Sequence, residues 1–129
     1  MNEYMLIFRN AIPKGHEIPS GEQMKTMVSQ WQNWITEISY LGKYSSTNRL
    51  QSEGKTIRPG KVVTDGPFVE GKEMVGGYLI IKSDNLDEAV TLAKSCPALE
   101  YGGTVEVRSV MAIDNNPDSA TFLSEVVHA

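Results

Sequence analysis

Ser20-Gly21-Glu22-Gln23-Met24-Lys25-Thr26-Met27-Val28-Ser29-Gln30-Trp31-Gln32-Asn33-Trp34-Ile35-Thr36-Glu37-Ile38-Ser39-Tyr40-Leu41-Gly42 is the stretch that decides the fold. Ser20 followed by Gln23 is a capping box, in which each side chain satisfies a backbone N–H that the first helical turn leaves unpaired. Behind it Met24, Met27, Val28, Trp31, Trp34, Ile35, Ile38 and Leu41 recur at helical spacing, and Gly42 closes the element as a C′ residue. The result is an amphipathic helix of about five to six turns at 3.6 residues each.

Working outward, Tyr4-Met5-Leu6-Ile7-Phe8 is a continuous apolar run ended by Arg9-Asn10, which predicts a central strand with both faces covered. A loop over residues 10 to 19, containing Pro13, Gly15, His16 and Pro19, joins it to the helix. On the far side, residues 46 to 64 read as a hairpin or meander. Its strands are Ser46 to Leu50 and Lys61 to Thr64, with a turn at Glu53-Gly54-Lys55. Gly76-Gly77 then leads into a second buried strand, Tyr78-Leu79-Ile80-Ile81-Lys82. Asn85 and Glu88 cap a second helix, whose apolar positions Leu86, Ala89, Val90 and Ala93 share one face until Pro97 stops it. Thr104 to Val110 alternates, with Val105 and Val107 on one side and Glu106 and Arg108 on the other, as a half-exposed strand does.

Two β-α-β units in series, with a hairpin between them and no dinucleotide glycine fingerprint, predict an α+β ferredoxin-like sandwich with an antiparallel sheet. Two helices cover one face only. The other face is expected to pair with a second copy, giving a homodimer. From Asn116-Pro117 onward, Phe122, Leu123, Val126 and Val127 form an amphipathic tail, expected to pack on the domain or across the dimer seam. The expected division is a domain over 1–111 and the tail over 112–129.

Composition narrows the function classes. The 129 residues suit one domain, and a chain of this length buries roughly two thirds of its unfolded surface. Cys96 is the only cysteine, so no internal disulfide can form and a reducing cytoplasm is expected. No run has the length of a signal-peptide core or a membrane span. The net charge of −4, without a basic cluster, argues against a nucleic-acid surface and for small molecules or protein partners. The two histidines and one cysteine show no metal-ligand spacing, and neither metal nor cofactor is expected.

Asp65-Gly66-Pro67-Phe68 is the chemically richest corner. Asp-Gly between strands ordinarily makes a two-residue hairpin turn, but Pro67 disfavours that backbone at Gly66 and imposes a stiff, irregular bend. Such a bend holds Asp65 and Phe68 in fixed positions, as a ligand site or an interface requires. Asp65 reads either as a general base or ligand acceptor, or as an Asx-turn cap. His16 reads as a solvated loop residue or the one histidine able to reach a sheet cavity. Glu106 and Arg108 read as an anion grip, a subunit bridge or a plain exposed pair. Arg49 joins Asp65, Phe68, His16, Glu106 and Arg108 among the ligand-binding candidates, with Asp65 the sole catalytic candidate. Trp31 and Trp34 are expected in core or dimer packing, and Cys96, with no neighbouring base, is expected to be structural.

Val62-Val63-Thr64-Asp65-Gly66-Pro67-Phe68, Gly71-Lys72-Glu73, Gly76-Gly77-Tyr78, Leu86-Asp87-Glu88-Ala89, Cys96-Pro97 and Gly103-Thr104-Val105-Glu106-Val107-Arg108 together resemble the DGPF branch of the YCII-related proteins, up to about residue 111. The resemblance implies a bacterial dimeric α+β barrel with no activity assigned to the branch. Some relatives are associated with extracytoplasmic-function sigma factors. More distant YciI-type relatives have a suggested His-Asp pair. Asp65 matches its acidic member, but the helix here reads Met24-Lys25-Thr26-Met27 where the histidine would lie, and Arg108-Ser109 replaces the usual Arg-Pro. The resemblance therefore supports a small-molecule binder with acid/base chemistry limited to Asp65, or a non-catalytic module acting through protein contacts.

Overall fold

A computed structural model describes residues 1–11, 20–67 and 73–111 of the chain. In order, the elements are β1 (Asn2–Ala11), α1 (Gly21–Tyr40), β2 (Tyr44–Arg49), β3 (Lys55–Arg58), β4 (Val62–Asp65), β5 (Glu73–Ser83), α2 (Leu86–Ala93), a 3-10 helix (Pro97–Tyr101) and β6 (Thr104–Ser109). Four strands make one antiparallel sheet in the order β2-β5-β1-β6, while β3 and β4 form a separate two-stranded sheet. This is an α+β architecture compatible with the ferredoxin-like sandwich. No helix among the described residues is long and apolar enough to cross a membrane.

The capping box at the start of α1 forms as the sequence predicts. Ser20 Oγ accepts from the Gln23 N–H at 3.2 Å, and Gln23 Oε1 accepts from the Ser20 N–H at 2.8 Å. At the other end, Lys43 N–H donates to the Ile38 carbonyl at 3.1 Å and Gly42 N–H to the Ser39 carbonyl at 3.0 Å, the paired bonds of a Schellman motif with Gly42 at C′. The helix delivers Trp34 and Ile38 to the core. Met24, Val28 and Leu41, expected on the same stripe, are exposed. Asn85 caps α2, its side chain accepting from the Glu88 N–H at 2.8 Å. Glu88 turns instead to an ion pair with Lys43, which ties the start of α2 to the end of α1. Within α2, Ala89 and Ala93 are buried and Leu86 is exposed.

The core lies between the helices and one face of the sheet. Leu6, Leu79 and Ile81 are 0% exposed, packed with Tyr4, Phe8, Trp34, Ile38, Ala89 and Ala93. Phe8, Trp31 and Trp34 meet edge to face, with centroids 5.0 Å apart for Phe8–Trp31 and 5.6 Å for Trp31–Trp34, an arrangement that aligns ring edges with ring faces. Trp34 Nε1 donates to the Leu92 carbonyl at 3.2 Å, so the buried indole keeps its hydrogen bond. Trp34 is thus a core residue, and Trp31, partly buried, packs against the core. Cys96 is buried, and desolvation pushes its thiol up to about 11, which makes it unreactive at neutral pH.

Two sequence expectations change. The strands Tyr4–Phe8 and Tyr78–Lys82 are covered on one face only: Met5, Ile7, Tyr78 and Ile80 stay half-buried because both helices lie on the other side. The region 46–64 is not one hairpin. β2 pairs with β5, and the hairpin is β3–β4, turning at residues 59–61 rather than at Glu53-Gly54-Lys55. The reason is that β2 finds a long-range partner in β5, which local turn signals do not encode. At Gly77 the two strands come so close that an added Cβ would lie 2.8 Å from the Asn48 carbonyl oxygen. The loop 12–19, the segment 68–72 and the tail 112–129 lie outside the described residues.

Candidate functional site: the open face of the sheet

The face opposite the helices is built in rows by strand register. Arg108, Met5, Ile80 and Ser46 lie side by side across β6, β1, β5 and β2, and the next row is Glu106, Ile7, Tyr78 and Asn48. Paired residues share a face, so both rows point away from the core. Their centre is apolar and their flanks are polar. On the β2 side, Asn48 Nδ2 donates to Tyr78 Oη at 2.8 Å. On the β6 side, Arg9 Nη1 donates to Glu106 Oε1 at 2.5 Å, and Arg108 Nε stands 3.9 Å from Glu106 Oε2. Glu3 and Lys82, opposite each other, close one end.

The sequence candidates divide among regions. Glu106 and Arg108 are together on the open face. Arg49 pairs with Gly77, which pairs with Phe8, so it lies on the helix-covered face at the edge strand β2. Asp65 ends β4 in the separate hairpin, with its side chain 96% exposed and its Oδ1 accepting from Lys55 Nζ at 2.9 Å. Those two residues are direct cross-strand partners. The stiff bend after Asp65 is present: Gly66 has φ 85°, its N–H donates to the Gly54 carbonyl at 2.9 Å, and its carbonyl accepts from Thr56 Oγ1 at 3.0 Å. His16 and Phe68 lie outside the described residues.

Arg9 and the Tyr78–Asn48 pair escaped the sequence reading. Arg9 ends the apolar run in the sequence, whereas β1 continues to Ala11. The signal was present in the period-2 series Met5, Ile7, Arg9, whose members alternate with the buried Leu6 and Phe8. Two grooves border the helices. One, of about 290 Å³, has Gln30, Glu37 and Glu100 among its lining residues; the other, of about 280 Å³, has Leu86, Val90, Leu99 and Val107. In the first, Gln30 bridges Glu100 Oε2 and Tyr101 Oη, binding α1 to the 3-10 helix.

The profile of the YCII-related domain matches residues 39–114, more than half of the chain. The chain belongs to the YCII-related domain family. The matched stretch starts within the last turn of α1, yet in this YCII-related protein β1 lies outside it and still occupies the middle of the sheet, between β5 and β6. No curated protein sequence matches the chain. Among solved structures, a hydantoinase/carbamoylase family amidase from Burkholderia ambifaria is similar over 88% of this chain and 29% of that one, at 8% identity and a TM-score of 0.36. The chain thus spans less than a third of that amidase, and so low a score says nothing of function.

Proposed function

We propose that this YCII-related protein is a homodimer that holds a small polar molecule in a cavity between the open faces of two copies of its sheet, as a dimeric α+β barrel. The observation that carries this reading is the unequal covering of the sheet. Leu6, Leu79 and Ile81 are 0% exposed on the helix side, while Met5, Ile7, Tyr78 and Ile80 remain half-buried on the other. An apolar sheet face of that kind favours association. The charges around it, Glu3 with Lys82 and Glu106 with Arg9 and Arg108, are of both signs, so a second copy meets them with opposite charges to pair. Concave, mostly apolar spaces with a few convergent polar groups are where small ligands bind. The single buried Cys96 suits a reducing bacterial cytoplasm.

Asp65 enters this reading as the acid/base candidate, and its exposed pairing with Lys55 supports an architectural role in the hairpin. Asp65→Asn separates the two roles, since it removes charge while keeping size; unchanged binding or turnover assigns the residue to the bend. Light scattering tests the dimer. The expected mass is twice 14.3 kDa, and Ile80→Lys is expected to give a folded monomer. A stable wild-type monomer at micromolar concentration overturns the reading, and native mass spectrometry of the dimer reads any retained small molecule.

A second reading is a regulatory module acting through protein contacts, for example with a sigma factor. It is favoured by the β3–β4 hairpin, where Ile57 is 71% exposed and the adjacent Val62 and Val63 are also exposed. Replacing Ile57 and Val63 by Thr is expected to abolish such contacts and leave small-molecule binding intact.

A further inference from the structure

We infer that the ligand of the open face is an organic anion, its carboxylate or phosphate gripped by Arg108 and its apolar body laid along the Met5–Ile80 row. This rests on the reading that the open face is the binding surface. Glu106 faces both Arg9 and Arg108. Arg9 already takes its Oε1 at 2.5 Å, and Arg108 Nε is 3.9 Å from Oε2, beyond hydrogen-bond reach. The guanidinium of Arg108 therefore keeps its donors for another acceptor, with its side chain 69% exposed.

Arg9 is held by Glu106 and Lys82 faces Glu3, so Arg108 is the cation of this row with no carboxylate within hydrogen-bond reach among the described residues. An exposed guanidinium left with free donors attracts a small anion. The planar fork of an arginine matches the paired oxygens of a carboxylate or phosphate. A bare inorganic ion would leave the rest of the row unused. From Arg108 the row passes over Met5 and Ile80 to Ser46, crossing three strand spacings, roughly 14 Å. That row fits an apolar body with room for a polar end at Ser46.

Amide NMR titrations of the full chain with benzoate, phenyl phosphate, benzamide and inorganic phosphate test the inference. Benzoate or phenyl phosphate is expected to shift the amides of Met5, Ile80 and Arg108, with benzamide and inorganic phosphate at least about tenfold weaker and Arg108→Gln weakening the organic anions by about tenfold or more. Whichever organic anion binds tighter identifies the charged group. Equal binding of benzamide overturns the anion class while leaving the open face as the site. Equal binding of inorganic phosphate overturns the organic body. An Arg108→Gln protein that binds benzoate and phenyl phosphate undiminished, or that loses the dimer by light scattering, removes Arg108 from the site. Absence of shifts on this face with all four probes overturns both the inference and the reading beneath it.

Discussion

The two faces of the four-stranded sheet are made from the same strands and the same residue classes, yet they have opposite fates. On β1, Leu6 and Phe8 are buried beneath α1 and α2, while their neighbours Met5, Ile7 and Arg9 point the other way and remain half-buried. Along β5, Leu79 and Ile81 are buried, whereas Tyr78 and Ile80 are not. The difference teaches that an unbroken apolar run reports a strand whose two faces both seek cover, without saying what covers each. One cover is supplied within the chain by two amphipathic helices. On the other face, aliphatic side chains are joined by an arginine–glutamate strip and a tyrosine–asparagine hydrogen bond.

Truncating one residue on each face separates the two in energy. Leu6→Ala is expected to cost about 2–5 kcal/mol, because it leaves a cavity under the helices. Ile7→Ala, measured by denaturation at low protein concentration, is expected to cost about 1 kcal/mol, since less of the side chain is withdrawn from water. Equal losses at the two positions would erase the distinction between the faces. A rise in the Ile7→Ala cost with protein concentration would sharpen it, because a covering partner binds by mass action.

Gly66→Val probes a region outside the sheet. Gly66 sits at φ 85°, a backbone poorly accessible to a β-branched residue, so the substitution is expected to cost about 1–3 kcal/mol. The loss should fall in the hairpin, with amide signals of Leu6 and Ile7 unmoved. A melting temperature equal to wild type would show that the bend is not a constraint.

Smaller effects concern the helix side. The hydrogen bond from Lys43 holds the Glu88 carboxyl below its ordinary value of 4.5. A lowered folded-state value means that the pairing's stabilisation is fully present above the unfolded value and is lost as pH falls through the folded one. Glu88→Gln is therefore expected to lower stability slightly at pH 7 and to flatten its decline below about pH 4.5, where carboxylates take up protons. An acid limb identical to wild type would detach Glu88 from it. Smallest of all is the expected reactivity of Cys96, whose burial keeps the thiol protonated. Modification by a thiol reagent at pH 7 should be negligible until the helix side is unfolded by denaturant, and rapid modification of the native protein would contradict its buried placement.

The sequence by itself determined the elements whose causes are local. Ser20, Gln23 and Gly42 carry the start and stop of α1 in their own hydrogen-bonding groups, and Asn85 does the same for α2. The stripe containing Trp34 and Ile38 marks the buried side of α1, and Gly66-Pro67 marks the bend that follows β4. Only the tertiary structure decided that β2 joins β5 and leaves β3 to pair with β4, because strand pairing is settled by partners far along the chain. Only the tertiary structure brought Arg9 to Glu106, 97 residues later, and set Arg49 and Asp65 apart from that pair. Period-2 alternation tells which residues share a face of one strand, and it takes the register between strands to turn such faces into a site.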